Sequence, residues 1–171
     1  MTWHACCSDS IQYINPVTVN ISDLFILSGG QAGADRAALD FALEQGISYG
    51  GHCPHGRLAE DGKIPEKYKL TETGSSDPRE RTFFNVRDSD GTLVFYDHMP
   101  DEGTKLTIDY CRETRKPCLE VNLFCMIKKK HFQEWMEHSN IRRLHIAGSR
   151  ESSSPGIYQK VTEALKTLMI L

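Results

Sequence analysis

The stretch Ser28-Gly29-Gly30-Gln31-Ala32-Gly33-Ala34-Asp35-Arg36 contains residue types suited to holding an anion. Glycines at 29, 30 and 33 remove side chains that would keep a ligand from the backbone, and a helix opening just after them presents N–H groups with no intrahelical partner. The chemistry this predicts is anion binding, most often of a phosphate. The run is neither the dinucleotide pattern G-x-G-x-x-G nor a P-loop, because no Gly-Lys-Ser/Thr follows. The alternative is a tight strand-to-helix turn that binds nothing. A second stretch repeats the design: Gly148-Ser149-Arg150-Glu151 follows the run Leu144-His145-Ile146-Ala147 and leads to Pro155-Gly156-Ile157, where proline suits a first helical turn. Gly103-Thr104 offers a third helix start. Arg57, Arg81 and Arg150 supply guanidinium groups of the kind that pair with phosphate.

These loops can meet only if the surrounding elements are arranged for it. Leu24-Phe25-Ile26-Leu27 predicts a strand over about 23–28, and Ala37, Ala38, Phe41 and Ala42 predict a helix to about 45, where Gly46 suits a left-handed cap. A short strand over 47–51 follows. From Cys53 to Pro78 there is little periodicity and there are many breakers. With Leu58, Ile64, Tyr68 and Leu70 as anchors, this segment reads as a wall or lid over a site, or as a structural cover. A helix over 79–88 carries Arg81, Asn85 and Asp88 on one stripe, and Asp88-Ser89-Asp90-Gly91-Thr92 turns the chain into a strand over 93–96. A helix from Gly103 to about Arg115 is stopped by Pro117. A strand over 119–123, a helix over about 127–138, a strand over 144–147 and a last helix with apolar residues at 157, 161, 164, 165 and 168 complete the chain. Alternating short strands and helices predict an α/β fold, an open parallel sheet with helices on both faces. The loops at the carboxyl ends of such strands share one edge, so the segments beginning at Gly29, Gly103 and Gly148 are expected to converge.

The chain has 171 residues, enough for one domain with a real core. Its 20 basic and 23 acidic residues leave a net charge of −3, which argues against general attraction to nucleic acid or to an acidic membrane. No apolar run approaches the length of a membrane span, and the start lacks the charged and apolar regions of a signal peptide, which predicts a cytoplasmic protein. Residues 1–22 read as an N-terminal extension and 23–171 as the single domain. The six cysteines, at 6, 7, 53, 111, 118 and 125, read as reduced thiols, mostly buried. His52-Cys53-Pro54-His55 has metal-ligand chemistry but no second ligand pair, so no metal is assigned. Lys128-Lys129-Lys130 reads as solvated surface.

Four blocks resemble one family. They are Ser28-Gly29-Gly30-Gln31-Ala32-Gly33-Ala34-Asp35-Arg36-Ala37-Ala38-Leu39-Asp40, Cys53-Pro54-His55-Gly56-Arg57-Leu58-Ala59-Glu60-Asp61-Gly62-Lys63-Ile64-Pro65, Arg81-Thr82-Phe83-Phe84-Asn85-Val86-Arg87-Asp88-Ser89-Asp90-Gly91-Thr92-Leu93, and Ala147-Gly148-Ser149-Arg150-Glu151-Ser152 with Pro155-Gly156-Ile157. The chain is similar over about 23–170 to the family called "putative molybdenum cofactor carrier" proteins. That family resembles a circularly permuted branch of the SLOG group, Rossmann-like domains related to lysine-decarboxylase-like phosphoribohydrolases. The permutation shows in Gly148-Ser149-Arg150, a loop of the type that follows the first strand in those relatives but follows the last strand here. The resemblance implies a Rossmann-like fold and a pocket for a phosphate-bearing ligand, which for the carriers is the molybdenum cofactor (molybdopterin) and otherwise a nucleotide. It also implies a homo-oligomer and, as partners, the enzymes that make or accept the cofactor.

The candidate ligand-binding residues are Gly29, Gly30, Gln31, Gly33 and Asp35 in the first loop, Arg57 in the lid segment, and Arg81, Asn85 and Asp90 around the 79–88 helix. Gly103 and Thr104 at the third helix start and Gly148, Ser149, Arg150 and Glu151 in the last loop complete the set. Two departures stand out. His52 occupies a position where the family commonly has tryptophan, and the Pro-Gly-Gly-x-Gly-Thr run with its catalytic glutamate is missing. The chain therefore reads as a binder or carrier with no catalytic residue assigned. The alternatives are a nucleotide N-glycosidase, using carboxylates among Asp35, Glu60, Asp61, Asp90 and Glu151, and a nucleotide-sensing module.

Overall fold

The computed structural model describes residues 23–170; the expected extension over 1–22, with Cys6 and Cys7, lies outside the described residues. In chain order the elements are β1 (Phe25–Leu27), α1 (Ala34–Gln45), β2 (Ser48–Gly50), β3 (His52–Cys53), β4 (Leu58–Ala59), β5 (Gly62–Lys63) and β6 (Thr71–Glu72). They continue with α2 (Pro78–Arg87), β7 (Gly91–Tyr96), α3 (Glu102–Glu113), β8 (Cys118–Asn122), α4 (Lys129–His138), β9 (Arg143–Gly148) and α5 (Ile157–Met169). Five strands form one sheet in the order β2-β1-β9-β7-β8, and every pairing in it is parallel. Counted from β9, that order is 3-2-1-4-5, the doubly wound arrangement. The strand that comes last in the chain lies at the centre of the sheet, which is the expected permutation.

Strand alternation sorts the two faces. Leu144 and Ile146 of β9 and Leu93 and Phe95 of β7 enter the main apolar cluster with Phe41 of α1, Met136 of α4 and Leu165 of α5. The opposite face takes His145 and Thr92, whose side chains meet at 3.3 Å, beneath α2 and α3. The helix expectations hold closely. Gly46 caps α1 at φ 67° and ψ 23°, and residues 157, 161, 164, 165 and 168 of α5 are all buried. One differs: Pro155 lies outside α5, because Gly156 stands at φ 83° and the helix begins only at Ile157.

The weakly periodic segment is ordered by polar anchoring. The short pair β3–β6 and the hairpin β4–β5 are held around Arg57, which stands at φ 55° and is almost fully buried. Its guanidinium donates to the carbonyls of Ile64, Pro65, Tyr68 and Leu70 at 2.9–3.4 Å. Asp40 of α1 clamps the same segment from outside, accepting from Lys67 Nζ at 3.0 Å and Tyr68 OH at 2.8 Å, and it accepts from Tyr158 OH at 3.0 Å. Burial works against the Asp40 carboxylate, yet these three donors hold it below its usual range.

Candidate functional site

At the carboxyl edge of the sheet, the loop after β1, the start of α3 and the loop after β9 meet. Between the loop after β1, the loop after β9 and the end of β7 the contact is made by backbone. Ala34 N donates to Ser149 O at 3.2 Å, and Ser149 N donates to Phe95 O at 3.0 Å. A Cβ on Gly33 would come within 2.6 Å of Ser149 O, and one on Gly148 within 2.0 Å of Phe95 O. These two glycines therefore let neighbouring loops close on one another. Gly29 serves a different neighbour, since its missing Cβ would fall 2.2 Å from Arg81 Nη1 and 2.8 Å from Asp35 Oδ2.

That neighbour is a buried ion pair. Arg81 reaches from α2 and Asp35 from α1, with Nη1 to Oδ2 at 3.2 Å and both side chains more than nine-tenths buried. Gln31 N donates to the same carboxylate oxygen at 3.4 Å. Burial pushes the Asp35 carboxyl above its ordinary value, with Arg81, the Gln31 N–H and Arg150 pulling the other way. A guanidinium does not give up its proton in a protein, so Arg81 stays charged against this carboxyl. Around it lie Gly103 and Thr107 of α3, Asp101 before that helix, and Ala147, Gly148 and Arg150. Among the described residues Arg150 makes no side-chain hydrogen bond or ion pair, and the buried Arg81 Nε and Thr104 Oγ1 are without partners.

Some candidate residues have other duties. Arg57 spends its guanidinium on the lid carbonyls described above. Asn85 brackets the backbone of His52, accepting from its N–H at 2.8 Å and donating to its carbonyl at 2.9 Å. Asp90 sits at the opposite edge of the sheet, where it accepts from the N–H groups of Arg142 and Arg143 at 2.9 and 2.7 Å. The side-chain space at Gly30 is filled by Leu70 and Ile64 of the lid segment, so this glycine faces the lid. Gln31 reaches the lid too, donating from Nε2 to Leu58 O at 2.8 Å. Glu151 turns its carboxylate onto the N–H groups of Gly156 and Tyr158, at the very helix start expected to receive an anion. His52, Cys53 and His55 diverge: His52 Nε2 meets Asp88 at 2.8 Å, Cys53 is buried, and His55 lies 3.8 Å from Glu72.

Sequence reasoning missed Asp101. It caps α3 by accepting from Thr104 N at 2.8 Å, and it also accepts from Arg150 N at 3.3 Å and Ser153 Oγ at 2.6 Å. An aspartate three residues before Thr104 at a helix start was the available signal. Beyond Gly33 the surface opens into a groove of about 640 Å³ walled by Arg36, Glu60, Asp61, Glu151 and Tyr158. Its sides are tied by Arg36 to Asp61 at 3.2 Å and by Glu60 to the N–H of Ser152 at 3.0 Å.

Residues 26–169 match the model of the circularly permutated YpsA SLOG family. The chain belongs to that family. Among solved structures, this SLOG chain is similar to one from Syntrophus aciditrophicus SB described as a "putative molybdenum carrier protein", with 41% identity, a TM-score of 0.83 and coverage of 88% of this chain and 96% of that one. (E)-4-Hydroxy-3-methyl-but-2-enyl diphosphate reductase is far more distant, with 10% identity and a TM-score of 0.36 over 84% of this chain and 59% of that one, and bears on nothing here. A search of curated proteins returns no significant match. Among the described residues of the SLOG domain, no helix is long and apolar enough to cross a membrane.

Proposed function

We propose that the protein binds and carries a phosphate-bearing small molecule, the molybdenum cofactor or a similar pterin or nucleotide. The observation behind this reading is the uncommitted guanidinium of Arg150 beside the buried Arg81–Asp35 pair, at the edge where an open parallel sheet takes its ligands. A charged donor with no protein partner is well suited to a ligand anion. The relative described as a molybdenum carrier supports the choice of cargo. The same reading has the protein act in the cytoplasm as a homo-oligomer and pass its cargo between the enzymes that synthesise and accept the cofactor.

A carrier requires affinity, shielding and release. Arg150 would supply charge for the phosphate, and the neighbouring groove beyond Gly33, walled on one side by Glu60 and Asp61 of the clamped segment, would take the rest of the molecule. Mass spectrometry of ligand extracted from gently purified protein identifies the cargo, and an oxidised pterin is the expected finding. Calorimetric titration of that ligand should show Arg150→Ala weakening binding by about 1.5–3 kcal/mol, roughly 10- to 150-fold. Lys129→Ala, on the solvated side of α4, should leave affinity unchanged. Arg150→Ala binding like the parent overturns the assignment. A hydrolase is the second reading, favoured by one observation: the carboxylates of Asp35 and Asp101 line the same small cavity. Incubation with AMP, GMP, CMP and UMP, followed by chromatography for free base, decides between them, and no release above an Asp35→Asn variant is expected.

A further inference from the structure

We propose that Asp101 is an internal anion: its carboxylate holds the site closed when no ligand is bound, and an incoming oxyanion must displace it. The proposal rests on the reading of the site given above. Helix capping alone requires only one carboxylate oxygen, and Oδ1 does that work at 2.8 Å from Thr104 N. The other oxygen, Oδ2, crosses to a different part of the chain, accepting from Arg150 N at 3.3 Å and Ser153 Oγ at 2.6 Å. One carboxylate thus takes an N–H from the start of α3 and both an N–H and a hydroxyl from the loop after β9. These are the donors a bound oxyanion would seek on the same edge.

Two features separate this arrangement from a finished structural bridge. Donors remain unused around it, namely the buried Arg81 Nε and Thr104 Oγ1 and the guanidinium of Arg150. A carboxylate with two oxygens cannot satisfy all of them. The contact to Arg150 N is also long for a hydrogen bond to a charged acceptor, which ordinarily closes to about 2.7–2.9 Å. A tetrahedral dianion presents more acceptor oxygens and more charge, so it gains contacts on displacing Asp101, whereas a monocarboxylate merely repeats what Asp101 already makes. The site should therefore select the phosphate or sulfate class over carboxylates. Release of cargo is built in as well, because Asp101 stands ready to return to the vacated donors.

Sulfate is the probe of choice, since it stays dianionic through the neutral range. Asp101→Asn keeps an equally good helix cap and removes only the charge, and circular dichroism confirms the fold. Calorimetric titration should show sulfate binding Asp101→Asn at least about tenfold more tightly than the parent, as expected when a like charge leaves a partly buried site. Acetate should bind the parent no better than buffer salt does. Adding Arg150→Ala to Asp101→Asn should abolish the gain. If Asp101→Asn binds sulfate no more tightly than the parent, or neither binds it, the internal-anion role is wrong. If the double variant binds as well as Asp101→Asn, the placement of the ligand site beside Arg150 is wrong instead.

Discussion

Asp35 and Arg81 come from helices on opposite faces of the sheet and meet in a space that admits no side chain from Gly29. Removing one partner of such a pair leaves the other charged and buried, at a cost of about 3–5 kcal/mol. Asp35→Asn should therefore lower the urea midpoint sharply, while Asp35→Leu combined with Arg81→Met should recover most of the loss. A deficit in the double variant as large as in the single one would show that packing, not charge, sets the cost. His145 makes a second residue-scale prediction. Burial, with Arg81 near it, pushes its imidazole down to about 3 from an ordinary 6.5. Between those values the unfolded chain takes a proton that the folded chain refuses, so this contribution to stability is complete above about pH 6.5 and is lost on acidification. At pH 5 the loss amounts to about 2 kcal/mol. Urea titrations at pH 7.5 and 5 should show His145→Leu with a correspondingly smaller drop than the parent. Such contacts were only partly legible in the sequence. The glycines at 29, 33 and 148 were readable because few other residues fit loops that close, but which neighbour each one makes room for depends on α2, the loop after β9 and β7 respectively, all distant in the chain.

At the level of elements, the sequence was most informative where one rule dominated. Gly46 ended α1 as a left-handed cap, and the period of five apolar residues placed α5 on the core. It was least informative between Cys53 and Pro78. There the organising interaction is a single guanidinium inserted among four carbonyls, and no local pattern announces that an arginine will turn inward. Asp90 misled for a similar reason: its neighbours in sequence point to the ligand loops, yet the turn it occupies enters β7 at the amino edge. The lid segment should depend on Arg57 more than on its own strands of two residues each. Arg57→Ala leaves the four carbonyls of Ile64, Pro65, Tyr68 and Leu70 without this donor. Limited proteolysis of that variant should cut between about residues 58 and 75 at least tenfold faster than the parent, if local opening becomes easier by about 1.4 kcal/mol. Far-ultraviolet circular dichroism should hardly change, since the five helices lie outside the segment. Equal cutting rates would assign the ordering of the lid to the Asp40 clamp.

For the molecule as a whole, the sheet order means that the ends of the domain can be moved. α5 returns antiparallel to the strands, so Met169 comes back to the edge where β1 begins at Phe25. A permutant that opens in the Ser139–Arg142 turn and joins residue 170 to residue 23 by a short flexible linker should fold, with cooperative urea unfolding and a sheet numbered in ordinary doubly wound order. Aggregation of that permutant in the absence of denaturant would show that the present order of synthesis is needed for folding. That order carries a consequence of its own. β9 is the sole strand between β1 and β7, so the pair β1–β2 and the pair β7–β8 have no shared edge until it arrives. A ribosome adding about 5–20 residues per second leaves β1–β2 waiting about 5–20 seconds and β7–β8 about 1–5 seconds for β9. Until then each pair offers an open strand edge to any neighbour, including a second nascent chain on the same message. Arg150 and the Gly148 loop are translated immediately after β9, so a chain that stalls before this strand has neither a closed sheet nor the edge proposed above to bind an anion.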